Sequence, residues 1–347
     1  MLLLGLAAAA LAACARPATE DGAIILTYAT PYPPTHPFSR ADITWMRWVE
    51  ERSNGRLRIR PYWSGGAISS ESSMIEIRHG IVDIGLITPI YTRGGAHAQR
   101  TQTGFYGGVR AMQDQVDVYK CLERDFPALR NELVGLHVIA VQGGNFPGVL
   151  TRGRPIRRLE DFRGMRLRGP TEIVHVLRDL GADPVELPMG DVYSAMAKNV
   201  IDGVVTATDA LRSLHLAEVS NYFSYARFPR GAYPARAMSA KKWALLPPDL
   251  QALLTESGLV WEEAMRVEIE GAQETGAAYG RSKGVQFVAF DAADQTRLDE
   301  VYSRSALQTA RALEAYTPNG VQMYRRTQEL VALRNSGVQA LCPAEGG

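Results

Sequence analysis

Two arginines stand close together in residues 161–174, DFRGMRLRGPTEIV, where Arg166 and Arg168 alternate with Met165 and Leu167. Such alternation predicts a strand. Gly169-Pro170-Thr171-Glu172 predicts a helix start, with Pro170 in the first turn and Gly169 or Thr171 as its cap. A strand that delivers an arginine to its carboxyl end places it where α/β sheets hold ligands. A guanidinium matches a carboxylate bidentately, and a helix N-terminus also favours an anion. The chemistry expected at Arg168 is anion binding. A surface salt bridge, or an arginine stem lying over apolar surface, is the alternative that spacing leaves open.

Little else in the chain could do chemistry. There is no HExxH, GxSxG or P-loop pattern. The six histidines, at 36, 79, 97, 137, 175 and 215, lack metal-ligand spacing and read as surface or core residues. Glu71 and Glu76 read as helix-start or solvent residues, and the Gly-Gly pairs at 65–66 and 107–108 read as turns. No cofactor or metal is expected. The net charge of +1 and the scattered aromatics exclude nucleic acid as the main partner.

The elements that must position Arg168 alternate between strand and helix. Strands are expected at 23–30, 56–63, 81–88, 136–141, 165–168, 184–187, 201–207 and 285–290. Helices are expected at 39–53, 116–130, 171–180, 191–197 and 294–315, with one unusually long helix at 247–283. This rhythm predicts an α/β architecture. A faint internal echo, EIRHGIVDIGLIT against AMAKNVIDGVVTAT, suggests two similarly built lobes. The long helix could run across both, leaving a cleft between them as the ligand site. With 347 residues, 46% hydrophobic and 22% charged, the chain is long enough for two globular domains.

Residues 2–13 are an apolar run too short to span a bilayer, which needs about 20 residues. The run suits the core of a secretory signal, and it closes with Leu11-Ala12-Ala13-Cys14, a lipobox-like end that makes Cys14 a lipidation candidate. The expectation is export, with residues 1–13 as a lipoprotein signal and 14–22 as a linker. Cys121 and Cys342 then remain, to pair in an oxidising compartment or to stay unpaired.

Several blocks together resemble the substrate-binding proteins of tripartite ATP-independent periplasmic (TRAP) transporters, of the dicarboxylate-binding type. They are RPIRRLEDFRGMRLRGP, LGADPVELPMGDVYSAMAKNVIDG and MSAKKWALLPPDLQALL, with YWSGGAISSESSMIEIRHGIVDIGL earlier. The resemblance implies a two-lobed periplasmic-binding-protein-like fold that closes on its ligand and catalyses nothing. Lobe I would comprise 23–142 plus about 232–265, and lobe II 143–231 plus about 266–335, with 336–347 as a tail. It implies that Arg168 binds the ligand carboxylate, that Met189 is a pocket residue and that Asn145 is a pocket amide. At three positions this chain departs from the family. Gly148 stands where many members have a second arginine, Thr206 where they have a ligand-contacting asparagine, and Thr88 where some have a glutamate. These changes remove charge and amide capacity. The expected ligand is therefore a monocarboxylate with a neutral or apolar body rather than a C4-dicarboxylate. The expected partner is a TRAP membrane permease, with the same fold serving as a receptor's ligand sensor, or an exported α/β enzyme, as alternatives.

Overall fold

The computed structural model describes residues 19–20, 22–92 and 94–342. The expected signal, the lipidation candidate Cys14 and most of the expected linker lie outside the described residues. None of the described helices is long and apolar enough to cross a membrane.

Twelve strands form two sheets. In chain order they are β1 (Thr19–Glu20), β2 (Ala23–Ala29), β3 (Leu57–Tyr62), β4 (Ile84–Leu86), β5 (Leu136–Gln142), β6 (Gly148–Thr151), β7 (Arg166–Arg168), β8 (Asp183–Val185), β9 (Gly203–Thr206), β10 (Tyr222–Ser224), β11 (Tyr233–Ser239) and β12 (Gln286–Val288). In the first sheet β2 pairs in parallel with β3 and β4, β11 runs antiparallel between β4 and β5, and β1 caps the start of β2. The second sheet has the order β12-β10-β6-β9-β7-β8, with β7 parallel to both neighbours. The chain crosses between sheets twice as extended backbone, at 143–147 and 225–232, and a third time through the helix Pro248–Ser282. This is the expected two-lobed α/β architecture.

Local sequence explains the elements that matter most. His36 caps the helix Pro37–Arg52, its Nδ1 accepting from the Phe38 N–H at 3.2 Å, and Pro37 fills the first position. Phe38, Ala41, Trp45, Met46 and Val49 form its buried stripe at helical spacing. The helix ends where Asn54 and Gly55 take left-handed backbone. The 35-residue helix Pro248–Ser282 packs Trp261, Met265 and Ile269 into the first sheet's core. It lies so close to both sheets that a Cβ at Gly258 would collide with the Ile139 carbonyl, and one at Gly276 with the Thr208 carbonyl.

Asp42 holds these pieces together. It is fully buried; one carboxylate oxygen accepts from Arg236 Nε at 2.6 Å and Trp261 Nε1 at 2.7 Å, and the other accepts from the Tyr28 hydroxyl at 2.6 Å. Strands β2 and β11 and two helices thus meet on one carboxylate.

Four expectations are corrected. The helix expected at 116–130 is two, Met112–Asp125 and Pro127–Asn131, because Phe126 precedes a proline and turns extended. The helix expected at 171–180 begins as a 3-10 turn, Thr171–Ile173, and becomes α-helical only over Val174–Asp179. The stretch from 336 does not begin as a free tail: Leu341 packs into the core and Cys342 forms a disulfide with Cys121, Cα atoms 5.8 Å apart. Residues 97–131, placed by chain order with the first sheet, contribute Ala98, Phe105, Leu122 and Leu129 to the second sheet's core.

Removing one member of a buried, hydrogen-bonded ion pair strands the other charge at about 3–5 kcal/mol. D42A is therefore expected to lower unfolding stability by that amount in urea titration. A change below about 0.5 kcal/mol would show that the network is dispensable.

Candidate functional site

The carboxyl end of β7 opens on a cavity of about 90 Å³ between the two sheets. One water needs roughly 10–15 Å³ on the same scale, so the space suits a small organic molecule. Arg168 forms part of its wall and is only 2% exposed. Its Nε donates to the Leu187 carbonyl at 2.9 Å, beyond β8, and its Nη2 donates to the Tyr91 hydroxyl at 2.7 Å, beyond β4. The guanidinium is thus oriented from both sheets at once. Among the described residues no carboxylate lies within 4 Å of it. A buried guanidinium with no carboxylate paired directly to it is expensive; Glu172 acts on it only at longer range, and the cavity is where an anion would meet it directly.

Arg166, on the same strand, is half exposed and forms a two-bond pair with Asp202, at 2.6 and 3.2 Å. Its role is on the surface. The helix-end contribution to anion binding falls away, since the element after Pro170 is a three-residue 3-10 turn. The Thr171 hydroxyl is committed to Glu186 at 2.8 Å and lies 3.2 Å from the Ile90 carbonyl.

Of the other expected site residues, Met189, Thr206 and Thr88 line the cavity and Asn145 and Gly148 do not. The Thr206 hydroxyl has no protein hydrogen-bond partner among the described residues. The Thr88 hydroxyl donates to the Ser70 carbonyl, and its amide donates to Ser73 Oγ at 3.1 Å, so Thr88 offers the cavity little polarity. Asn145 donates to the Ile269 carbonyl at 2.9 Å and pins the first crossover to the long helix. Gly148 faces Thr206 across the sheet, where a Cβ would sit 2.5 Å from the Ser224 carbonyl. On this backbone position 148 can carry no side chain, arginine included.

Sequence reasoning missed the residues that supply most of the wall. Arg230, from the second crossover, lines the cavity with its guanidinium against the Gly144 backbone. Its setting, FPRGAY, gives no periodic signal. Glu172 and Asp209 also line it, and burial pushes both carboxyls above their ordinary range, with Arg230 opposing each shift. Glu172 was visible four residues after Arg168 but reads there as a helix-start residue. The remaining wall is aromatic and aliphatic, including Tyr32, Phe38, Leu86, Phe228 and Tyr233. Burial pushes the Tyr233 hydroxyl up to about 12. His36 stacks on Tyr32 at 4.1 Å, and burial, helped by Arg40 and Arg236, pushes its pKa down to about 3. The imidazole is neutral, and the Phe38 bond to Nδ1 leaves the proton on Nε2, a donor with no protein acceptor among the described residues. Among those residues no group of three or more His, Cys, Asp or Glu could hold a metal ion.

The family model "Bacterial extracellular solute-binding protein, family 7" matches residues 28–311. The chain belongs to this family. Solved structures share the fold. A TRAP solute-binding protein from Rhodoferax ferrireducens, complexed with copurified benzoate, superimposes with a TM-score of 0.81 at 20% identity, over 91% of this chain and 100% of that one. A marine-metagenome TRAP solute-binding protein, with co-crystallised 3-hydroxybenzoate, superimposes with a TM-score of 0.79 at 19% identity, over 89% and 98%. In sequence, a solute-binding protein of Albidiferax ferrireducens is 28% identical over 223 residues, covering 62% of this chain and 64% of its own length. A monocarboxylate 2-oxoacid-binding periplasmic protein of Nostoc is 26% identical over 157 residues, covering 44% and 42%. The matched stretches thus span about two thirds of the one relative and less than half of the other.

His36 yields a pH test. The unfolded imidazole takes up its proton near pH 6.5 and the folded one near pH 3. Between these values the unfolded state holds more protons, so stability falls as pH drops through that window, by up to a few kcal/mol. H36N, which keeps a capping side chain, is expected to lose less melting temperature than the parent between pH 7 and pH 5. Equal losses would remove His36 as the cause.

Proposed function

We propose that this chain is the solute-binding component of a TRAP-type secondary transporter. It captures a small monocarboxylate between its lobes and delivers it to the membrane permease unchanged. The observation that carries this reading is Arg168: a buried guanidinium, held from both sheets, with no protein carboxylate among the described residues to meet it. The largely aromatic and aliphatic wall argues for a ligand with a neutral, apolar body. The benzoate and hydroxybenzoate bound by structural neighbours, and the 2-oxoacids of the Nostoc relative, belong to the same chemical class.

Closure is read as a hinge motion. The lobes divide at the crossovers 143–147 and 225–232 and within the long helix, with residues 97–131 moving with the second sheet. Tyr91 and Arg168 then meet only in the closed form, so the carboxylate anchor is also part of the latch. Ligand that completes the site stabilises that form.

Export and attachment follow the sequence reading, with a lipid on Cys14 holding the protein at the outer face of a membrane. C14A is expected to move the protein from the membrane fraction to the soluble fraction of cells. Retention of C14A in the membrane fraction would rule out that anchor.

Loss of the buried charge partner to a bound carboxylate is worth about 2–5 kcal/mol. R168A is therefore expected to weaken binding of benzoate or pyruvate in calorimetry by about 30-fold to several thousand-fold, with an unchanged circular dichroism spectrum. Undiminished affinity would sink the anchor role. A panel in which succinate, malate or fumarate binds tightest would sink the monocarboxylate assignment.

A further inference from the structure

Four ionisable side chains share the inner cavity: Arg168, Arg230, Glu172 and Asp209. Among the described residues none of the four has an ion-pair partner within 4 Å, among themselves or elsewhere. Arg168 is satisfied by a carbonyl and a tyrosine, and Arg230 rests against the Gly144 backbone. Glu172 Oε2 is buried and has no hydrogen-bond partner. An ionised carboxylate oxygen in that position is far more costly than a protonated one.

Counting charge decides what such a cavity accepts. With both acids ionised, the two arginines are cancelled, and a monoanion would add an uncompensated negative charge to a buried space. With one acid protonated, the cavity carries one positive charge and a monoanion makes it neutral. A dicarboxylate would need both acids protonated.

We propose that the ligand is taken up together with a proton, and that Glu172 is the specificity-determining residue that holds it while a monocarboxylate sits on Arg168. The proposal rests on the carboxylate reading of Arg168 given above. The proton comes from solvent, the Glu172 O–H bond is the only bond formed, and no other group changes its oxidation state or bonding. The protonated carboxyl is also a hydrogen-bond donor beside the bound anion.

Glu172 is a better holder than Asp209. Asp209 also borders a wider outer hollow lined by Arg40, Arg212 and His215, where water can reach it, and the Asn145 amide supports its charged form. For Glu172, burial acts most strongly and keeps the proton on, with Glu186 adding to it, against its own backbone N–H, Arg230 and Arg168. Tyr302 and Tyr233 also lie within electrostatic reach of Glu172. Other titratable groups on the elements packed against the Thr171–Ile173 turn are engaged elsewhere. Arg100 donates to the Thr92 carbonyl, Tyr91 accepts from Arg168, His97 stacks on Tyr316, and His175 pairs with Arg178.

The test is calorimetry with benzoate as the probe, between pH 5.5 and 8.5, in pairs of buffers that differ in ionisation enthalpy. Above the pH at which free Glu172 loses its proton, the expected result is uptake approaching one proton per ligand. There Kd should rise by about tenfold per pH unit. E172Q is expected to bind with a Kd independent of pH and without proton uptake. Benzoate binding with no proton uptake and a flat Kd in the parent protein overturns the proposal and leaves Arg168 as anchor. Uptake persisting undiminished in E172Q overturns the assignment to Glu172. The absence of any binding heat with benzoate or pyruvate at any pH sinks the carboxylate reading itself, together with this proposal. The buffer comparison uses the unaltered protein, so it decides the matter even where E172Q does not fold.

Discussion

A single carboxylate carries the greatest structural responsibility in this molecule. Asp42 gathers a guanidinium, an indole and a phenol from three other elements, and it does so where no water competes. Because Trp261 belongs to the long helix, the network fixes that helix against the first sheet. The same helix reaches the second sheet seven residues beyond Ile269, where Gly276 meets the Thr208 carbonyl. The mutual placement of the sheets, and so the width of the cleft, is referred back to Asp42. A buried ion pair is seldom worth much as stability in itself. Its value here is positional, since its geometry admits one arrangement of four elements.

The ligand site inherits that placement. Its wall is assembled from places where regular structure stops: the ends of β4, β7 and β9, the first turn after Pro188, and the two crossovers. Each contributes a few side chains at irregular spacing, so no single segment resembles a binding motif. The polar groups that remain are few, and some are committed to the scaffold, like Thr88, while Arg168 is held by neutral groups alone and Glu172 Oε2 has no protein partner.

Much of the fold was legible because it follows periodicity. Alternating residues in RLRIRPY and buried runs such as IVDIGLIT announce strands, and the Ala-, Glu- and Leu-rich stretch after Pro247-Pro248 announces the long helix. Local chemistry also placed Arg168 at a strand end. What stayed hidden depends on distant partners. Arg230 sits in an irregular crossover and reaches the cavity only because a glycine 86 positions earlier lets it lie flat. Asn145, expected as a pocket amide, donates to the Ile269 carbonyl of a helix over a hundred residues away and reaches the cavity only through Asp209, whose charged form it supports. Gly148 read as a lost arginine, yet the sheet itself forbids any side chain there. The break at Phe126 was available in principle from the proline after it, and the apolar periodicity on either side concealed it.

The disulfide between Cys121 and Cys342 joins positions 221 residues apart. The loop it closes contains both crossovers, the long helix and the whole second sheet. Opening and shutting of the cleft therefore takes place inside a covalent ring, with the last helices tethered to the body they pack on. Since such a bond persists only where thiols are oxidised, the ring is closed only after the chain has left the compartment of its synthesis. The competent receptor is in that sense completed at its place of work.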